Sequence, residues 1–366
     1  MPESTGVAAL ERFLRALPKV ELHCHLLGAV RRSTFADLAR RAPSLHAREA
    51  PPSLADIDAF YTRGDKPVGV LRVLRALERA LLATPDDFHR LVYEYLQDAA
   101  AHHVRHAEFF WNPTGTAHVP GLSYPEVLAA IRRAIADAHA DFGIVGRLVP
   151  AIDREAPPAA AREMVQWVID HRVDEVPGIG IDYREADGPP QAFVEAYAAA
   201  RKAGLKTTAH AGEFGLPAEN VRIALDELRV DRIDHGYTIV EDLALARRAV
   251  ERGIVFTVVP TNSYYLRTLP PERWAADHPI RRMRELGLRV HPNTDDPALH
   301  HVTPTGAWLM MARDFDYSID DLRACMDHGL DAAWIDAGTR QEWRTSWRAE
   351  FDALRKSHLE GLRDDS

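Results

Sequence analysis

Eight short, β-rich apolar runs alternate with longer amphipathic stretches along almost the whole of this 366-residue chain. The runs cover residues 18–25, 104–111, 144–150, 178–182, 205–210, 232–235, 254–259 and 288–293. Helix-like segments separate them at 33–41, 86–103, 124–142, 159–171, 190–203, 220–227, 242–252 and 280–286. Ser33 and the pair Asp86-Asp87 stand where N-caps belong, and Gly204, Gly253 and Gly287 fall just past C-termini. Strand, helix, strand with short connections implies parallel pairing. Eight such units in roughly 275 residues predict an α/β fold, a closed (β/α)8 TIM-like barrel, with an open sheet as the alternative. Residues 42–88 hold no β-rich run and read as a helical insertion after the first strand, helical from 68 to 82 and placed over the catalytic mouth. The stretch from about 318 to 362 reads as C-terminal helices. No repeat, low-complexity tract or linker interrupts the pattern, so a single domain over residues 1–366 is expected.

Composition narrows the function classes. The net charge is −9 and the isoelectric point about 6.1, with no Lys/Arg-rich block, which argues against a nucleic-acid or anionic-membrane partner. Cys24 and Cys325 are the only cysteines. That excludes a disulfide framework and a Cys-x-x-Cys zinc site and suits a reducing compartment. Glu3, Glu11, Arg12 and Arg15 interrupt the first sixteen residues, so the apolar core of a signal peptide is missing, and no run reaches the ~18 apolar residues of a membrane span. A cytoplasmic protein is expected.

Barrel enzymes carry their chemistry at the C-terminal ends of strands. Four of the predicted strands end in polar clusters: His23-Cys24-His25, His210-Ala211-Gly212-Glu213, Asp234-His235-Gly236 and Asn293-Thr294-Asp295-Asp296-Pro297. His23 and His25, two apart on a strand, point the same way while Cys24 points back. Each cluster alone has a plain structural reading; Asp295-Asp296-Pro297, for instance, would serve as a helix N-cap. Together they match one chemistry. Three neutral imidazoles and a carboxylate satisfy a divalent zinc and leave room for a water whose pKa the metal lowers toward ~7. The expected ligands are His23, His25, His210 and Asp295, holding one zinc per chain with iron as the alternative ion. Glu213 is the expected proton donor and His235 the partner of the water. His102 and His103 read as a solvated turn, and His300 and His301 as residues flanking the site.

The same strings, preceded by Pro18-Lys19-Val20-Glu21-Leu22, resemble the adenosine/adenine deaminase family in the same order over about residues 15–340. The resemblance implies a zinc-containing barrel that hydrolyses the 6-amino group of a purine. On matching positions, Glu213 would protonate ring N1 and His235 with Asp295 would orient the attacking water. Asp296 would hydrogen-bond N7 and Gly212 would lie under the ring. The partner would be a small purine: adenosine or a related nucleoside first, with free adenine or a 5′-modified adenosine (5′-methylthioadenosine, aminodeoxyfutalosine) as the alternative, and a non-catalytic purine-binding homologue third. Three places depart from the nucleoside-acting pattern: Leu27, where an acidic residue would meet the sugar; Gly180-Ile181-Asp182-Tyr183-Arg184-Glu185; and Val259-Pro260-Thr261-Asn262-Ser263. All three are expected to border the substituent side of the pocket, away from the metal.

Overall fold

In the computed structural model, which describes residues 2–41 and 70–359, eight parallel strands follow one another in chain order around the molecule. They are β1 (Lys19–His25), β2 (Val104–Trp111), β3 (Val145–Asp153), β4 (Gly178–Asp182), β5 (Lys206–Ala211), β6 (Arg232–His235), β7 (Val255–Val258) and β8 (Arg289–Pro292). Every predicted run is a strand, and the α/β barrel expected from the alternation is the observed architecture. The seam between β8 and β1 is held by the residues that follow β8. His25 N–H donates to the Asp295 carbonyl (2.7 Å), Asp295 N–H to the His23 carbonyl (2.9 Å), and Leu22 N–H to Asn293 Oδ1 (2.9 Å). The ring therefore closes through three site candidates, His23, His25 and Asp295, and two of their neighbours, Leu22 and Asn293.

All seven residues of β1 are buried, as expected of a parallel strand covered on both sides. Val20, Leu22 and Cys24 join the hydrophobic core, while the alternate residues Glu21 and His23 meet polar partners, the Thr294 amide and the Thr257 carbonyl. Helix starts follow their capping chemistry. A capping box between Thr84 and Asp87 opens Pro85–Ala100, so Asp86 and Asp87, expected as caps, sit in its first turn. Ser33 likewise lies inside the first turn of Arg32–Arg41. Ser123 and Ser318 open Tyr124–Phe142 and Ile319–Ala332 with capping boxes of their own. Gly204, Gly253 and Gly287 have φ of +75°, +67° and +72°, the left-handed turn their position predicts.

Three features escape the sequence pattern. β3 runs through Pro150 to Asp153, three residues past its predicted end, pairing Ala151–Asp153 with Gly180–Asp182. An added helix, Pro2–Ala16, packs on the C-terminal Ala337–Leu359 with Phe13 edge-on to Phe351 at 5.2 Å. Short helices at Ser263–Thr268 and Pro271–Asp277 fill the connection after β7. Of the expected insertion, residues 42–69 lie outside the described residues. Its described end is helical at Val70–Ala76 and continues as a π turn at Leu77–Leu81. The C-terminal helices occupy Ile319–Ala332 and Ala337–Leu359. No helix of the described residues is long and apolar enough to cross a membrane.

Candidate metal centre and substrate cavity

β1, β5, β6 and the turn after β8 deliver five of the expected residues to one point. Ligand atoms of His23, His210, His235 and Asp295, all buried, lie within 4.8 Å of one another. His25 joins them through its Nε2, 3.1 Å from His210 Nε2 and 3.2 Å from Asp295 Oδ1. Asp295 and His235 hold left-handed backbone, φ +62° and +66°. For non-glycine residues such conformations are strained by ~1–3 kcal/mol and persist only where the surroundings enforce them. At Asp295 the enforcing contacts are the seam hydrogen bonds to β1.

A supporting layer sets each imidazole's proton. His23 Nδ1 faces the Thr257 carbonyl at 3.0 Å, an acceptor only, so Nδ1 carries the hydrogen. His210 Nδ1 lies 3.3 Å from Asp234 Oδ2, and His25 Nδ1 lies 3.4 Å from Asp182 Oδ2. Those carboxylates are anchored in turn: the Thr257 hydroxyl donates to Asp234 (2.7 Å) and Asn112 Nδ2 to Asp182 (2.6 Å). With Nδ1 protonated on all three rings, each Nε2 presents a lone pair to the centre. Lone pairs that converge to 3.1 Å beside a carboxylate suit a shared cation; without one, burial is outweighed by the contacts with Asp182 and Asp295, which raise the His25 imidazole well above its ordinary value. Zinc bonds of ~2.0–2.1 Å separate tetrahedral ligands by ~3.3 Å. The contacts among His25, His210, His23 and Asp295, at 3.1, 3.2 and 3.4 Å, fit that span.

Electrostatics separates the carboxyls. Burial alone would raise the Asp295 carboxyl, but its contacts with His23 and His25 outweigh burial and hold it well below the ordinary range. Glu213 moves the other way. Burial drives its carboxyl well above the usual carboxylate range, and the charges of Asp295 and Glu185 add to the shift. Asp296 is likewise raised by burial and by Asp295. Burial, then His23, depresses the His235 imidazole well below its usual value. Its Nε2 lies 3.6 Å from Glu213 Oε2, and its Nδ1 is 3.4 Å from the Tyr237 hydroxyl, which donates to the Val259 carbonyl at 2.9 Å.

A cavity of about 320 Å³ opens onto this cluster. His25, His210, Glu213, Asp295 and Asp296 line its inner end; Tyr183, Arg184, Phe214, Arg267, Val70, Leu71 and Leu74 form its walls and roof. His23 and His235 are fully buried behind that lining, and Gly212, also buried, donates its amide to Glu185 Oε1 at 2.8 Å. Asp296 occupies an N-cap position but makes no capping bond; its Oδ1 instead takes the space that a Cβ on Gly28 would fill. His300 is buried behind it, with Nε2 3.9 Å from Asp296 Oδ2.

The 180–185 segment borders the cavity as expected, through Asp182, Tyr183 and Arg184, but it is not remote from the metal cluster: Asp182 meets His25, and Glu185 accepts from the Gly212 and Glu213 amides at 2.8 and 3.0 Å. The expectation for Leu27 is corrected. Leu27 is 4% exposed, in the turn Leu27–Ala29 within the hydrophobic core, and is not among the residues lining the cavity. Sequence reasoning also left several supports without a role: Asp234, Thr257, Asn112, Tyr237, and Asn262, whose Nδ2 donates to Glu213 Oε1 at 3.3 Å. A signal was present for Asp234 and Asp182, which are acidic residues at strand ends. None marked Thr257 or Asn112.

A (β/α)8 barrel with an imidazole and carboxylate cluster at its C-terminal mouth defines a metal-dependent hydrolase of the amidohydrolase kind. The adenosine deaminase family model matches residues 18–346, and the chain belongs to that family: it is a deaminase that uses a single metal ion. It is similar to an adenine deaminase of Rhodospirillum rubrum, 33% identical over 337 residues, covering 90% of this chain and 96% of that protein. Among solved structures, a zinc-bound amidohydrolase from Burkholderia ambifaria is 59% identical with a TM-score of 0.92, covering 96% of this chain and 94% of that one. An adenine deaminase from Arthrobacter aurescens is 27% identical with a TM-score of 0.80, covering 92% and 99%.

Proposed function

We propose that the protein hydrolyses the 6-amino group of free adenine, releasing ammonia and the 6-oxopurine. The reaction type rests on one observation above all: a buried carboxyl with a raised pKa, Glu213, stands beside four convergent metal-ligating groups at the end of a cavity. Purine C6 is a weak electrophile until the ring is protonated at N1, and a carboxyl whose pKa burial raises is suited to deliver that proton. His23, His25, His210 and Asp295 would hold the ion. When bound, zinc lowers the pKa of water toward ~7 and so supplies hydroxide at neutral pH.

The chain's own residues do the rest. Glu213 donates to N1 and is held in line by Asn262 and by the Glu185 contacts to its loop. His235, kept neutral by burial, takes a proton from the attacking water and passes it to the amino group, which leaves as ammonia when the C6–N bond breaks, and Tyr237 fixes the ring by accepting from Nδ1. Asp296 stays free of capping duty to meet N7, and Gly212 shapes the loop beneath the ring. The free base is favoured over the nucleoside, the first expectation from sequence, by relatives named adenine deaminase over most of their length. The cavity, about 320 Å³, sits at the small end of the ~300–1,000 Å³ range of ligand pockets.

The test is ammonia release by metal-loaded protein from adenine, adenosine, 2′-deoxyadenosine, 5′-methylthioadenosine and aminodeoxyfutalosine. Adenine should give the highest kcat/KM. A nucleoside with the higher value overturns the choice of substrate, and no ammonia from any of them overturns the activity.

A further inference from the structure

Beyond the core packing of Val73, Leu74 and Leu77, the roof of the cavity is joined to the strand ends by one guanidinium that does not line the cavity. Val70, Leu71 and Leu74 reach the cavity from the helix Val70–Ala76, which continues as the π turn Leu77–Leu81. Arg75, on that helix, is only 15% exposed. Its Nη1 donates to Glu78 Oε2 (2.9 Å) and Asp153 Oδ2 (2.7 Å), and its Nη2 to Asp153 Oδ1 (2.9 Å) and Glu155 Oε2 (3.1 Å). Its Cζ lies 3.7 Å above the Tyr183 ring. Asp153 ends β3 and pairs in register with Asp182 of β4, and Tyr183 follows Asp182 in left-handed backbone, φ +69°. One side chain thus joins the roof to two strand ends. Glu78 is seated from the other side against Gly115, where any Cβ would collide with its carboxyl.

We propose that Arg75 is a positioning residue: it seats the 70–81 roof on the ends of β3 and β4 and thereby sets how tightly the cavity holds its substrate. The inference rests on the deaminase reading of that cavity. Two physical points carry it. Glu78 on the roof faces Asp153 and Glu155 on the barrel, and Arg75 is the cation between them; without it these acidic groups meet across the contact with only Arg184, on Glu155, as a counter-charge among the described residues. What the clamp places in the cavity is apolar lining, not a reacting group, so its loss falls on KM rather than on kcat. Lysine cannot substitute fully, since a point charge neither bridges Asp153 with two bonds nor lies flat on Tyr183.

The experiment uses Arg75→Met and Arg75→Lys in the full-length, zinc-loaded protein, with hydrogen exchange of residues 70–81, metal content and adenine kinetics measured on each. Arg75→Met should speed exchange in 70–81 and raise KM by about tenfold or more, with kcat within about threefold and metal content unchanged. Arg75→Lys should fall between parent and Met on both readouts. Parent-like exchange and KM in either folded variant overturn the proposal. So does a fall in kcat or metal content at unchanged KM, which would place the effect on Asp182 and His25. The exchange measurement needs no substrate, so it decides the clamp even if adenine proves to be the wrong substrate.

Discussion

The floor and the roof of the cavity are built on different principles. The floor comes from strand ends. Each imidazole on it is oriented by a partner on the barrel wall, and those partners are themselves hydrogen-bonded, as Asp234 is by Thr257 and Asp182 by Asn112. The roof is a two-turn helical segment from the insertion, packed into the core through Val73, Leu74 and Leu77 and joined to the strand ends by the ion pairs of Arg75. A metal site requires ligand placement within a few tenths of an ångström, which parallel strands locked in register supply. The roof places apolar lining rather than ligands, so looser placement there costs binding before it costs chemistry. Chemistry and access are thereby given to separate elements.

Breaking the floor should have the largest consequences. Removing the metal with a chelator should abolish turnover and zinc should restore it; Asp295→Asn should prevent restoration, since it removes the carboxylate that lies nearest both His23 and His25. Activity that survives complete metal removal would contradict the whole arrangement. One layer back, Asp234→Asn should weaken metal affinity by ~10–100-fold, read by competition with a chelating dye, because His210 loses the charge that holds its proton on Nδ1. At the edge of the floor, Gly28→Ala drives a methyl into the Asp296 carboxyl. It should lower kcat/KM by ~10–100-fold through misplacement of Asp296, with metal content unchanged.

The roof offers a smaller effect that depends on pH. Burial pushes the Glu78 carboxyl up to about 7, against the opposing influence of Arg75. In the unfolded chain it titrates near ~4.3, so between those values the folded state holds an extra proton and stability declines as pH rises. Glu78→Gln removes that slope. Relative to the parent, the variant should gain stability from pH 4.5 to 7, by at most ~3 kcal/mol, and the difference should level off above 7. Denaturant melts across that range check it; a difference independent of pH would mean that Glu78 is ionised throughout.

The two regions also differed in how far the sequence revealed them. All eight strands, and the convergence of His23, His25, His210, His235 and Asp295, follow from periodicity and from the rule that polar residues at strand ends face one mouth. The supports did not follow. Thr257 and Asn112 act through pairings between strands distant in the chain, and neither residue type marks such a role locally. Leu27 misled because its neighbours suggested a sugar contact, whereas a 3₁₀ turn folds it into the core. Arg75 stood in an amphipathic stretch where a charge normally means a solvated face. The extension of β3 to Asp153, hidden by Pro150, brings it the carboxylate that it meets with two bonds.

The central claim is that the floor supplies both a metal and a separate proton donor. It is tested most directly by kcat and metal content measured on one preparation of Glu213→Gln with adenine as substrate. The account predicts parent-like metal content, one ion per chain, with kcat reduced by ~10²–10⁴-fold, the contribution of a positioned general acid. Near-parental turnover in that metal-loaded variant would contradict it.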